Sequence, residues 1–306
     1  MRVGSQSSSL SVAGTGRKTS PGRLLILLGP ALCVILLLFG GGLVLGLLQA
    51  LGHLPSQSFD VLGLQHFINV LQDPDFGKSL ILTLYISITS TLIAAAISVL
   101  LALILIRWAA DSKAVNFILQ IPLTVPHLVI AISMILLLAP AGLLSRLLSS
   151  LSIISGPSEF PLIVNDGWGI GILTVYIWKE VPFITFMLLS VLKNMGTELL
   201  EVGATLNASR FQRFYSITLP IIAPSLGAAC LIVFAFTFGA FEVPYLLGRT
   251  YPLALPVWAY KNYSDIDLLA RPEGIAIGLI IAAIVILSII LSQILLHFSR
   301  KRGLTL

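Results

Sequence analysis

Six apolar runs, each long enough to cross the hydrocarbon core of a bilayer, constrain this chain more than any other feature. A crossing needs roughly 20 residues. The runs extend approximately from Leu24 to Leu51, Ser79 to Ile106, Phe117 to Leu144, Gly169 to Leu192, Ser225 to Leu247 and Gly274 to His297. Hydrocarbon offers no water to the backbone, so each segment has to satisfy its own N–H and C=O groups, and uninterrupted runs of this length are helices. The expected fold is all-α, a polytopic membrane protein with six transmembrane helices. Only 10% of the residues are charged, against about a quarter in soluble domains, which excludes the water-soluble classes.

The first run is too long for a signal-peptide core and lacks a small-residue cleavage site, so it is read as a retained span. Gly40, Gly41, Gly42 and Gly46 within it favour close helix packing. Residues 1–20 are rich in Ser, Gly and Thr without apolar periodicity, which reads as a disordered cytoplasmic tail. A six-span domain covers residues 21–299, and residues 300–306 form a basic C-terminus.

Charge orients the bundle. With both ends inside, the tail (Arg2, Arg17, Lys18, Arg23), the second inner loop (Arg107, Lys113), the third (Lys193, Arg210, Arg213) and the C-terminus (Arg300, Lys301, Arg302) hold twelve of the 18 basic residues. The opposite face holds Lys78, Arg146, Arg249, Lys261 and Arg271, and Lys179 lies within a span. Basic residues collect on the cytoplasmic side, so both termini are expected in the cytoplasm of a cell whose plasma membrane holds the protein. The same rule explains the net charge of +5 without nucleic acid.

Catalytic signatures are missing. The sequence has no GxxxxGK[ST] phosphate loop, no HExxH, no CxxC and no GxSxG elbow. His53, His66, His127 and His297 lack ligand spacing, and Cys33 and Cys230 fall inside apolar runs, where they read as packing residues. No catalytic residue and no metal ligand are expected.

One interval between apolar runs is patterned rather than loose: residues 198–224, ELLEVGATLNASRFQRFYSITLPIIAP. Leu199, Leu200, Ala204 and Leu206 recur at helical spacing. Asn207 tolerates left-handed backbone and can end a first short helix. Ser209 can cap a second one, with Phe211, Phe214, Tyr215 and Ile217 on its apolar side. Pro220 and Pro224 are expected to bend the chain back toward the bilayer. The result is a helix-turn-helix on the cytoplasmic surface.

This interval resembles the cytoplasmic loop of the membrane-spanning permease subunits of binding-protein-dependent ABC importers. That loop reads Glu-Ala-Ala, then Gly three residues later, then Ile-x-Leu-Pro. Glu201, Leu206, Ala208, Ser209, Phe214, Ile217, Leu219 and Pro220 fall at the family spacing. Val202 and Gly203 stand where the family has two alanines, ahead of Ala204, and Asn207 stands for the glycine. The resemblance implies that these positions form a coupling helix docked on a separate ATPase subunit. ATP and Mg would bind that subunit, and this chain would hold no cofactor. The other implied partners are a second like or identical permease subunit and an extracytoplasmic solute-binding protein, with transport by alternating access across a bacterial inner membrane.

Lys179 and Glu180, in WKEVPF, lie near the middle of the fourth span, where an ionised side chain costs at least ~3 kcal/mol unless it finds a partner or water. Glu242, in FGAFEVPYLLG, is the natural candidate to pair with Lys179. Trp178, Lys179, Glu180, Glu242 and Tyr245 are the solute-pathway candidates, the alternative for the charged ones being a structural ion pair. Tyr176, Phe183, Phe186 and Phe241 cluster at the same level, while Trp168 and Trp258 read as belt or loop residues. The stretches WKEVPF, FGAFEVPYLLG and LPVWAYKNY look like those of permeases for polyamines, iron or thiamine more than for sugars. The competing function is an ion-coupled secondary transporter in which Glu180 and Glu242 relay protons.

Overall fold

The computed structural model describes residues 21–53, 63–109, 112–195 and 205–301. Its α-helices are α1 (Pro21–Ile35), α2 (Gly41–Ala50), α3 (Gln65–Gln72), α4 (Pro74–Trp108), α5 (Lys113–Thr124), α6 (His127–Leu138), α7 (Leu143–Ser150) and α8 (Ile170–Met195). They continue as α9 (Arg210–Arg213), α10 (Leu219–Gly239), α11 (Glu242–Leu247), α12 (Leu255–Tyr263) and α13 (Arg271–Lys301). Short π-helical segments join α1 to α2 (Leu36–Gly40) and α9 to α10 (Phe214–Thr218). The described residues contain no strand.

Six stretches are long and apolar enough to cross a membrane: Ile26–Ala50, Pro74–Trp108, His127–Ser150, Ile170–Met195, Arg210–Gly239 and Leu268–Ile294. The chain is therefore an all-α polytopic membrane protein, as its apolar runs require. Contacts divide it into two units, residues 1–48 and 49–306. The side chains of Ile26, Leu38 and Phe39 in the first unit are exposed, as is Cys33, which is not the packing residue expected of it.

In the second unit α4 and α8 form the central pair. Asp73 opens α4 by accepting the Asp75 N–H at 2.8 Å, and Pro74 sits where its missing donor costs nothing. Ser79, Thr83, Ser87, Ser90, Thr91, Ala94, Ser98 and Ala102 then recur every three or four residues and are buried. A stripe of such small side chains lets another helix approach closely. The hydroxyls of Thr83 and Ser87 return to the carbonyls of Ser79 and Thr83, both at 2.7 Å, so they enter the interior without loss of hydrogen bonding. Ser98 instead donates across to the Val181 carbonyl of α8 at 2.9 Å.

Three apolar clusters hold the unit together. Ala94, Ala102 and Leu105 of α4 meet Ile184, Leu188 and Leu192 of α8 and Ile222 and Ala229 of α10. Ile86, Ile130, Val175, Tyr176, Val243 and Leu247 join α4, α6, α8 and α11. Val70, Phe238, Leu255, Ala276 and Ile277 join α3, α10, α12 and α13, with the partly buried Trp258 packed against them.

Proline acts differently from expectation in two spans. Val125 takes extended backbone ahead of Pro126. This is the conformation a residue before proline prefers, so the third apolar run is broken into α5 and α6 and its crossing starts at His127, not Phe117. Pro220 and Pro224, by contrast, do not bend the chain. Pro220 directly follows the π segment, and the helix runs without a turn from Arg210 to Gly239 despite the backbone donor that Pro220 lacks. The irregularity is taken up by the π segment just before it. The fifth crossing accordingly starts earlier than Ser225 and ends at Gly239, with α11 a separate short helix.

The backbones of α12 and α13 approach closely at Gly274. A Cβ there would lie 2.7 Å from both the Ala259 carbonyl oxygen and the Tyr263 nitrogen. Both are backbone atoms, which cannot swing aside. Gly274→Val is expected to destabilise the unit by about 2 kcal/mol, read as a lower unfolding midpoint in lipid nanodiscs. Gly278, beside which a Cβ would meet nothing within 4 Å, should accept Ala with the midpoint unchanged or raised.

Candidate functional site

Two regions carry the functional candidates, a surface loop and a cleft within the bundle. In the loop, Asn207 has φ 57°, the left-handed conformation open to few residues other than Gly and Asn. Ser209 then begins α9 with a reciprocal cap: its hydroxyl accepts the Gln212 N–H at 3.2 Å, and its own N–H donates to Gln212 Oε1 at 2.8 Å. Gln212 was not singled out in the sequence, although Ser-x-x-Gln is a recognisable capping signal.

Aromatic side chains line the helix that follows. Phe211 and Tyr215 pack as a tilted pair with ring centroids 4.5 Å apart, and Phe214 meets Tyr215 edge-on at 5.2 Å. Phe211 is 71% exposed and Leu206 77%. Ala208, Phe214, Ile217, Leu219 and Pro220 are half-buried beneath. Glu201, Gly203 and Ala204, with the rest of the expected first helix, lie outside the described residues. Since α9, the π segment and α10 are one continuous helix, the loop and the fifth crossing form a single rod.

The cleft lies among α5, α6, α8 and α10. Lys179 and Glu180 are both buried and both line a cavity of about 240 Å³ with Leu123, His127, Phe183 and Phe236. A second cavity of about 390 Å³ is lined by His127, Phe236, Ala240, Phe241, Glu242 and Val243. His127 and Phe236, rings 4.7 Å apart, border both. Of the remaining pathway candidates, Trp178 and Tyr245 are exposed and line neither cavity.

The expected pairing of Lys179 with Glu242 is not made. Lys179 Nζ donates instead to the Val125 carbonyl at 2.5 Å, at the point where Pro126 breaks the helix. The extended backbone there turns that carbonyl away from the regular helical pattern, and the ammonium takes it. Glu180 has the Ser90 hydroxyl nearby, but neither of its carboxylate oxygens is engaged in hydrogen-bonding geometry. The hydroxyls of Tyr176 and Thr185 on the same helix are likewise buried and unengaged. These buried polar groups are the candidates for contact with water, an ion or a solute within the helix bundle.

Sequence reasoning missed His127 and Phe236, which no local pattern connects, and Asp166. The Asp166 carboxylate is buried and accepts the N–H groups of Trp168 at 2.9 Å and Ile170 at 3.0 Å, fixing the start of α8. The turn-forming run Asn165–Asp166–Gly167 was the signal for it. Among the described residues no group of three or more His, Cys, Asp or Glu side chains could hold a metal ion.

Six candidate crossings, an internal polar cleft within the second unit and a capped, aromatic helix continuous with one crossing define a membrane-embedded transport subunit. Residues 107–302 match the family described as the binding-protein-dependent transport system inner membrane component, and the chain belongs to that family of ABC importer permeases. It is 28% identical over 265 residues to the trehalose/maltose transport system permease protein MalF of Thermococcus litoralis, covering 81% of this chain and 86% of that one. Over 240 residues it is 28% identical to the molybdate/tungstate transport system permease protein WtpB of Methanocaldococcus jannaschii, covering 77% and 87%. A solved bacterial ABC transporter involved in import of the acidic polysaccharide alginate shares the fold, with TM-score 0.72, 22% identity and coverage of 91% and 95%.

The Ser209 cap sets the geometry of the loop. Ser209→Ala should cost about 1 kcal/mol of local helix stability, seen as a roughly fivefold loss of hydrogen-exchange protection at the Gln212 amide. Ser209→Asp, which keeps an acceptor, should retain the protection.

Proposed function

We propose that the chain is the transmembrane subunit through which a separate ATPase drives uptake of a small polar solute by alternating access. The observation that carries this reading is the rod from Arg210 to Gly239, which presents exposed rings at one end and lines the cleft with Val233 and Phe236 near the other. An exposed aromatic face on a short, well-capped helix is suited to being gripped by a partner protein. A displacement of that face passes along the helix into the bundle with no flexible turn between.

In this mechanism Glu201, Gly203, Ala204, Leu206, Asn207, Ala208, Ser209, Phe214, Ile217, Leu219 and Pro220 form or support the coupling element. Two cytoplasmic ATPase subunits hold the ATP and Mg, and this chain binds neither. A like or identical permease supplies the other half of the path, and an extracytoplasmic solute-binding protein delivers the solute. When ATP brings the ATPases together, the two coupling helices move with them and the cleft opens outward; hydrolysis resets it. Both termini lie in the cytoplasm.

Relatives described as trehalose/maltose and as molybdate/tungstate permeases differ in cargo, so the solute is read from the cleft. Its buried carboxylate, ammonium and rings favour a small charged solute of the polyamine, iron or thiamine kind over a sugar.

Glu201→Lys and Leu206→Asp are each expected to abolish ATP-dependent uptake in proteoliposomes holding the full complex, while the chain still inserts and co-purifies with its partner permease. Unchanged uptake in both variants overturns the coupling reading. Transport that survives ATP depletion but collapses with an uncoupler would replace it with ion coupling through Glu180.

A further inference from the structure

The two cavities differ in charge. Lys179 and Glu180 bring both signs to the inner one. Among the residues lining the outer one, Glu242 is the one acidic residue and none is Lys or Arg; the others are His127, Phe236, Ala240, Phe241 and Val243. Lys179 is turned to the Val125 carbonyl and forms no ion pair with Glu242, although its charge acts on that carboxylate through space.

The aromatic side chains there are fixed in place. Phe241 packs against Tyr260 with ring centroids 4.4 Å apart and against Tyr245 at 4.9 Å, and the two tyrosines meet edge-on at 5.7 Å. Rings from α11 and α12 therefore hold the Phe241 side chain at the cavity wall, next to the Glu242 carboxylate. On another side stands the His127–Phe236 pair.

Each solute class meets this wall differently. An oxyanion is repelled by Glu242 and finds no Lys or Arg among the residues lining this cavity. A sugar could stack on the rings, but it presents hydroxyls all round and would meet apolar side chains at Phe236, Ala240, Phe241 and Val243, leaving most of its hydrogen bonds unmade. A bare metal ion would need several oxygen ligands, and the lining supplies one carboxylate. A cationic nitrogen bearing carbon substituents satisfies both halves of the wall, its charge facing the carboxylate and its alkyl groups facing the rings, which themselves attract cations at centroid distances within about 6 Å.

We propose that the outer cavity is a binding site for organic ammonium ions, held by the Glu242 carboxylate and the rings of Phe236, Phe241 and His127. The proposal rests on the importer reading and names its solute class. Glu180, buried with both oxygens unengaged in the adjoining cavity, is the next carboxylate such an ion meets. The His127–Phe236 pair that borders both cavities stands between the two positions.

The test is equilibrium binding to the full chain in lipid nanodiscs, followed by saturation-transfer NMR with tetramethylammonium and putrescine as probes and sorbitol and sulfate as comparisons. Both amines should bind in preference to sorbitol and sulfate. Glu242→Gln should weaken amine binding at least tenfold, and Phe241→Leu, which keeps the apolar bulk but removes the ring, roughly fivefold. Ile266→Ser, at a 99% exposed position that lines neither cavity, should leave binding unchanged. Amine binding that persists at full strength in Glu242→Gln, or sorbitol or sulfate binding as tightly as the amines to the unaltered chain, overturns the proposal. Because no ATP enters the measurement, the two readings fail separately: ATP-driven uptake without amine binding sinks only the cation site, and amine binding without ATP-driven uptake sinks only the importer.

Discussion

The close approach of α4 and α8 is the contact on which the rest of the bundle depends. In lipid, helices gain little from burying apolar surface against each other, because the tails are as apolar as leucine; packing and interhelical hydrogen bonds have to bring them together. The stripe from Ser79 to Ala102 removes bulk along one face of α4, and the Ser98 hydroxyl ties that face to the Val181 carbonyl. The same stripe places Ser90 near Glu180, so a purely steric device also decides what a buried carboxylate can reach. A bulkier face on α4 would move α8 outward and carry Lys179 and Glu180 with it.

From that pair the structure gains both a cleft and a lever. α10 packs on α4 and α8 through Ile222 and Ala229, and its N-terminal continuation forms the surface helix. A helix gripped at one end by a partner and at the other by the bundle core moves as a body; a loop between them would absorb the motion instead. The π segment Phe214–Thr218 lies just ahead of Pro220, and the rod is continuous past both.

Much of this was legible in the sequence wherever the signal was local. Six apolar runs gave six crossings because hydrocarbon leaves the backbone no alternative. Asn207 could be read as left-handed and Ser209 as a cap because both properties belong to the residue and its immediate neighbours. Proline was legible only in part. Pro126 broke its helix and Pro220 did not, and the difference lies in where each falls in the hydrogen-bond register, which apolar runs do not reveal. The cleft was half visible: Glu180 and Glu242 are conspicuous in apolar surroundings, but the pairing of His127 with Phe236 and the turn of Lys179 toward Val125 join segments remote in sequence.

The Lys179 contact shows why charge counting alone misassigned the cleft. Two opposite charges in apolar surroundings invite the inference of an ion pair, since each would otherwise be left in hydrocarbon. A backbone carbonyl displaced from regular helix is also a strong acceptor, and at the Val125–Pro126 break it lies within reach of the ammonium. A structural Lys–Glu pair would have closed the site by satisfying both groups. Satisfying Lys179 with a carbonyl instead leaves both carboxylates without an ion-pair partner, which is what the proposed path for a charged solute requires.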